Sequence, residues 1–382
     1  MSKVAVQRGL WRAPHLSLFL LAALWAGVAP TVFLVPGLVC DPVAWHRQEM
    51  MLGVIGAALG GYLLTALPHW VEGTRVRPLQ TKLLVLAWGL GRTAAGPCQT
   101  DFVSLAILCI YPLGLAAILT KPLISARAWL RLPIASAPLL LVLVAFQLRI
   151  ESDNLGAVLG MALLVALVGG RIIPAFLQAR AGHHGALRPA LSVSARAADL
   201  ALVLALVAQL GRLGPVVIGS AAIVAAVMQG QRMACWPLVR GLRGGQADLA
   251  MLVVAWGWLP LGLCLLAASL WPDFGPPPTT ALHALTMGLM GSMMLAVMAR
   301  AWMTRQPGRL QPGAGLCLAF ALLQVATVLR LCLPANLTPA ALCWSFGWAI
   351  ASASAIAALS RPVPHPVLSA RRGNGARVSL ET

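Results

Sequence analysis

Charge is scarce in this chain, and acidic charge scarcer still. Charged residues make up 10% of 382, with 10 Asp and Glu against 28 Lys and Arg. A soluble globular domain carries about 25% charged residues, so that class is excluded. The eight Cys (40, 98, 109, 235, 264, 317, 332 and 343) form no Cys-x-x-Cys and no Cys-x-x-Cys-His, the attachment motif of covalent haem. Cys40 with Cys98, or Cys332 with Cys343, could form a disulfide at an oxidising face, and small apolar filler is the other reading of all eight.

What the chain has instead is apolar length. Hydrophobic residues reach 59%. At about 17 to 25 residues per membrane span, apolar runs fall at 16–38, 50–68, 80–96, 102–120, 129–148, 155–177, 198–213, 215–231, 249–271, 281–300, 313–333 and 339–360. The expected fold is therefore all-α, a polytopic transmembrane helical bundle of about twelve spans. The pair 198–213 and 215–231 is short, parted only by Gly211-Arg212-Leu213-Gly214-Pro215, so ten to twelve spans satisfy the pattern. Residues 1–15 form a basic cytoplasmic lead, 16–360 one membrane domain, and 361–382 a basic cytoplasmic tail expected to be disordered. The first run is long enough to span, and no small-residue cleavage site follows it, so it is kept as a helix.

The loops test the span count independently, because cytoplasmic connections gather Lys and Arg. With both termini inside, only Arg47, Arg92, Arg149, Arg212 and Arg330 of the 28 basic residues fall on the outer side. Acidic residues lean the other way, with Asp41, Glu49, Asp101, Glu151, Asp153 and Asp273 outside. A miscounted helix would scramble this alternation. The net charge of +18 then reflects topology and anionic lipid, not nucleic acid.

Polar residues at the ends of apolar runs carry the functional signal, since ionisable groups entering lipid are usually functional. Trp45-His46-Arg47-Gln48-Glu49-Met50 opens helix two at the outer face, and His69-Trp70 closes it. At 1.5 Å per residue the two imidazoles lie roughly 34 Å apart and cannot share a metal. Gly56 and Gly60 between them suit close helix packing or a flat ligand. Helix six ends in Gly169-Gly170-Arg171-Ile172-Ile173-Pro174-Ala175-Phe176, where Arg171 is either a snorkelling cation or part of a site. His183-His184 lies in an inner loop, where neighbours in sequence rarely meet on one ion. His283 enters helix ten from the outer side at the depth of His46, so the two can flank one cofactor. Below it, Met287, Met290, Met294 and Met298 form one helical stripe. Thioethers suit reduced copper but also fill irregular cores, and Met287, one turn from His283, is the metal-ligand candidate among them.

Together, Trp45-His46-x-x-Glu49-Met50, Leu64-Thr65-Ala66-Leu67-Pro68-x-Trp70, Gly169-Gly170-Arg171-x-x-Pro174-x-Phe176 and His283-Ala284-Leu285-Thr286-x-Gly288 with Met298-x-Arg300 resemble the NnrS family. The resemblance implies a haem-containing, and in part copper-containing, protein of the bacterial inner membrane, tied to nitric oxide stress and denitrification. Nitric oxide is then an expected ligand, a redox protein an expected partner, and a redox role in nitric oxide metabolism the activity in view. His46 and His283 become the expected axial ligands of a non-covalent haem, and these two with Met287 the metal-ligand candidates. Arg92 and Arg330 lead Arg149 and Arg212 as cations for the propionates, and Arg171 joins the cofactor-binding set. Glu49, one turn below His46, is expected to orient an imidazole or relay a proton. No catalytic residue is named. One departure stands out: the family pattern usually has a second His where this chain has Gln48, and His69 stands where Asn is common. A twelve-span secondary transporter without a metal is the rival reading, and it would show related halves and broken helices near the midplane; the helix-two motif has no counterpart in helix eight. A haem–copper oxygen reductase subunit needs more membrane imidazoles than the three at helix ends here.

Overall fold

The computed structural model describes residues 9–35, 37, 39, 41–94, 102–150, 154–181, 189–271, 275–306, 309–363 and 367–368. Twelve helical segments follow one another: α1 Pro14–Phe33, α2 Pro42–Trp70, α3 Pro78–Ala94, α4 Phe102–Ser125, α5 Trp129–Ile150, α6 Leu155–Arg180, α7 Pro189–Leu210, α8 Pro215–Ala234, α9 Ala247–Leu270, α10 Pro278–Trp302, α11 Ala314–Cys332 and α12 Thr338–Ala358. Among the described residues eleven of them are long and apolar enough to cross a membrane, and α3, with 17 residues, is the shorter remainder. The chain is an all-α polytopic bundle. A two-stranded hairpin, β1 Thr304–Gln306 and β2 Arg309–Gln311, links α10 to α11 with Arg305 opposite Leu310.

Proline and glycine set the punctuation. Pro14, Pro42, Pro215 and Pro278 each stand in the first turn of a helix, where a missing N–H costs nothing. Gly214, at φ 87°, makes the reversal between α7 and α8 that a side chain would strain. The weak pair of apolar runs thus resolves into two full helices, because α7 begins at Pro189, well before its apolar stretch. Pro133 and Pro138 divide α5 into short pieces before Ala137–Ile150, whereas α4 runs unbroken through Pro112.

Consecutive helices pack side by side, and α12 returns to α1, so the order closes into a ring. Trp344 donates to the Ala26 carbonyl at 2.8 Å and Ser345 to Gly27 at 2.7 Å across that seam. Inside the ring sit α2 and α10, the two histidine helices. Their most apolar stretches are 78% and 72% buried, against 28% to 61% for the other nine candidate spans. We call the end where α2 and α10 begin the upper end, and the end where α1 begins and α12 finishes the lower.

Three ion pairs cross helices within this apolar interior, each with an aromatic ring under the guanidinium. Arg92 meets Glu49 at 3.1 Å over Trp88, Arg232 meets Asp199 at 2.7 Å over Trp256, and Arg300 meets Asp248 at 2.8 Å over Phe176. A charge taken out of water must be paired to persist. The ring face adds cation–π attraction where no water competes.

Candidate functional site

Both histidines lie in the opening turns of their helices. Asp41 caps α2, its Oδ1 accepting from the amides of Val43 and Ala44 at 3.0 and 2.9 Å, and Pro42 follows. That start leaves His46 half-buried at the upper rim, with Phe33 of α1 edge-on to its ring at 5.1 Å. His46 Nδ1 is buried and has no hydrogen-bond partner. Pro277 and Pro278 start α10 in the same manner, and His283 Nδ1 lies 2.6 Å from the Thr279 carbonyl. A carbonyl only accepts, so Nδ1 carries the proton and the neutral ring offers its Nε2 lone pair.

The structure brings the two rings within electrostatic reach of each other, and Arg330 of α11 within reach of both. Arg330 spends one N–H on the Pro334 carbonyl at 3.4 Å and has no ion pair among the described residues. His46, His283 and Arg330 therefore form one upper cluster: two imidazoles and a cation. No group of three or more His, Cys, Asp or Glu suited to a metal occurs among the described residues.

Directly below each histidine the helix changes hand-over distance. Glu49–Ile55 in α2 and Ala284–Gly291 in α10 are π-helical, with wider turns than the α-helix around them. Such segments gather at functional sites because they re-aim side chains and free carbonyls. Trp88 donates to the Gly53 carbonyl, which also accepts the Gly56 amide, and Tyr111 donates to the Gly56 carbonyl, each side-chain bond at 2.9 Å. In α10 the widened turn seats Trp258 against Gly288, and Trp258 in turn donates to Gln324 at 2.8 Å. Nothing in the periodicity of the chain announces these segments; glycines 53, 56, 288 and 291 are the one visible trace.

Other expected site residues go elsewhere. Glu49 receives no imidazole N–H: its Oε2 accepts from Trp25 Nε1 at 2.6 Å and pairs with Arg92. Arg92 is thereby paired with a carboxylate and stacked over a ring. The contact joins an acid and a base on neighbouring helices that sequence spacing could not pair. Arg149 donates to Ser104 at 3.0 Å and to Gln48 Oε1 at 3.4 Å, so the amide in the second-histidine position belongs to a hydrogen-bond cluster. Arg212 is exposed in the α7–α8 turn. Arg171 is exposed on α6 within electrostatic reach of Asp199, away from the histidine pair. Its neighbour Gly170 supplies the space: the Arg232 guanidinium lies where a Cβ would be. Met287 is half-buried in the π-helical turn. Cys332 and Cys343 are free thiols. Cys40, Cys98, His183 and His184 lie outside the described residues, as do 369–382 of the tail.

One large cavity, of about 430 Å³, opens in the lower half of the bundle between α2, α6 and α10. Met290, Met294 and Met298 of the methionine stripe line it with Met293, so the stripe faces a void. Gly56 and Gly60 do not: Tyr111 packs on both, and the glycine pair serves helix packing.

The family model described as NnrS protein matches residues 9–362. The chain belongs to the NnrS family. No curated protein matches it. In this NnrS-family member the four stretches of the resemblance divide between two places. The His46 and His283 stretches build the upper cluster, while Thr65 and Trp70, Gly169 and Phe176, and Met298 and Arg300 line the lower cavity.

Proposed function

We propose that this NnrS-family membrane protein holds a metal centre between His46 and His283 at the upper end of its bundle, and that it serves defence against nitric oxide in the bacterial inner membrane. The reading is supported by two imidazoles on separate helices within electrostatic reach of each other, one whose Nδ1 has no partner among the described residues and one whose Nδ1 is fixed by the Thr279 carbonyl. A second-shell carbonyl on one ring nitrogen is the usual way a metal-bound histidine is oriented. The donor set fits the iron of a non-covalent haem or a copper ion, both of which accept imidazole. Arg330 is the cation placed to receive a propionate, and Phe33 walls His46 on its free side. A bound haem would supply an iron that takes nitric oxide as a ligand and exchanges single electrons. The protein's own part is to fix the two rings, keep Nε2 of His283 unprotonated, and shield the pair from water.

The test is pyridine-haemochrome and metal analysis of detergent-purified protein, with His46→Ala and His283→Ala measured singly. Loss of haem or copper in both variants, with unfolding unchanged, is expected. Full retention in both would overturn the assignment, and a folded, metal-free wild type would favour the transporter reading instead.

A further inference from the structure

The lower cavity has a construction of its own. Three helices turn one continuous stripe each toward it, running from Ile55 to Trp70 on α2, from Met161 to Phe176 on α6 and from Met290 to Met298 on α10. The α2 stripe covers roughly 22 Å of helix axis. At about 430 Å³ the space is within the range of sites that enclose a small organic ligand. Its walls are aliphatic and thioether over most of this length.

Polar groups gather toward the lower end. Tyr62, His69 and Trp70 all line the cavity from one face of α2, and none makes a hydrogen bond among the described residues. Thr65, between them, is turned back on its own helix and donates to Gly61 at 2.7 Å. Arg300 is also engaged, by Asp248 and by the Leu368 carbonyl at 2.8 Å. The free groups are thus a phenol, an imidazole and an indole N–H, donors suited to the oxygens of a neutral ligand.

The cavity has an open flank between α2 and α6. Leu368 lies across the lower mouth, tethered by Arg300 to its own carbonyl and by Arg305 to that of Val367 at 2.8 Å. Val367 is buried beside it, so this part of the expected loose tail is seated. On the flank, α2 and α6 face each other across the void and do not pack closely on one another. Leu59, Tyr62, Leu164 and Ile172 on these facing stripes are only half-buried. A ligand that enters by this flank, between two membrane helices, comes from the lipid.

We propose that this cavity binds a membrane-borne quinone. Its ring oxygens would take hydrogen bonds from Tyr62, His69 and Trp70, and its isoprenoid chain would lie along the methionine stripe of α10. The site is separate from the histidine cluster and does not depend on what that cluster binds.

Binding of a decyl-substituted benzoquinone to detergent-purified full-length protein, measured by titration calorimetry, tests this. Saturable one-to-one binding is expected. Tyr62→Phe and His69→Leu should each weaken it about tenfold, the effect of one lost hydrogen bond in an apolar site. Ala66→Phe, which puts a ring into the void, should abolish binding while metal and haem content stay at the wild-type level. Absence of saturable binding overturns the proposal. So does equal competition by decanol with Tyr62→Phe and His69→Leu unchanged, which would make the cavity an acyl-chain slot. Loss of haem in Ala66→Phe or His69→Leu would assign the space to the prosthetic group instead. Should Ala66→Phe fail to fold, the two polar variants decide alone.

Discussion

Replacing Glu49 by Gln should damage this protein more than replacing its partner Arg92 by Met. Glu49 is completely buried and Arg92 is 8% exposed, with Nε 3.1 Å from the carboxylate. The Gln side chain keeps an oxygen for Trp25 but leaves a guanidinium that cannot shed its proton, with the Trp88 ring at 5.5 Å and no other carboxylate paired to it among the described residues. An uncompensated buried charge costs about 3–5 kcal/mol. In Arg92→Met the stranded carboxyl can take a proton and become neutral, so the loss is about 1–3 kcal/mol, that of an unsatisfied polar group. The double variant buries no charge and should fall short of the summed losses by about 1.5 kcal/mol or more. Reversible unfolding in mixed micelles of rising sodium dodecyl sulfate, followed by Trp fluorescence, reads these values. A loss of about 3 kcal/mol moves the unfolding equilibrium by a factor of about 150. Equal losses in the two single variants, with a strictly additive double, would refute the pairing.

Glycine substitutions should separate packed from open positions. Gly53→Ala puts a Cβ 2.5 Å from Arg92 Nη1 and 2.8 Å from Trp25, and a loss of about 1–3 kcal/mol is expected. Gly89→Ala meets nothing within 4 Å and should be neutral or stabilise by up to about 1 kcal/mol in the same assay. Tyr111→Phe strips the Gly56 carbonyl of its donor; a melting temperature unchanged from wild type would show that the π-helical turn needs no such support. Orientation is open to a membrane-impermeant maleimide. Cys332, exposed at the upper end of α11, should label in intact cells, and Cys235, exposed at the lower end of α8, only after permeabilisation. The reverse pattern would invert the topology.

Much of the architecture was visible in the chain because lipid imposes a length and loops carry a charge bias. All twelve apolar runs coincide with helices, and His46 and His283 both lie in opening turns at the same end of the bundle, within electrostatic reach of each other. The pairing of Arg92 with Glu49 was not legible for a physical reason: a buried charge is governed by whatever neutralises it, here a residue 43 positions away on another helix. The lower cavity escaped notice because its three stripes look like ordinary packing faces one at a time. Only their convergence makes a void, and convergence is a property of helix tilt that composition does not encode. The π-helical turns were hidden likewise, since they shift register by a single residue within an apolar run.

The seam between α1 and α12 has a consequence for biogenesis. The opening helix is made first and its permanent neighbour last, yet Trp344 and Ser345 must find carbonyls on α1, and Arg12 must reach the Leu359 carbonyl at 3.0 Å. Until the ribosome has released nearly the whole polypeptide, α1 stands beside lipid on a flank that is destined for protein. Nascent chains stalled short of residue 338 would therefore expose an unclosed ring to quality-control proteases.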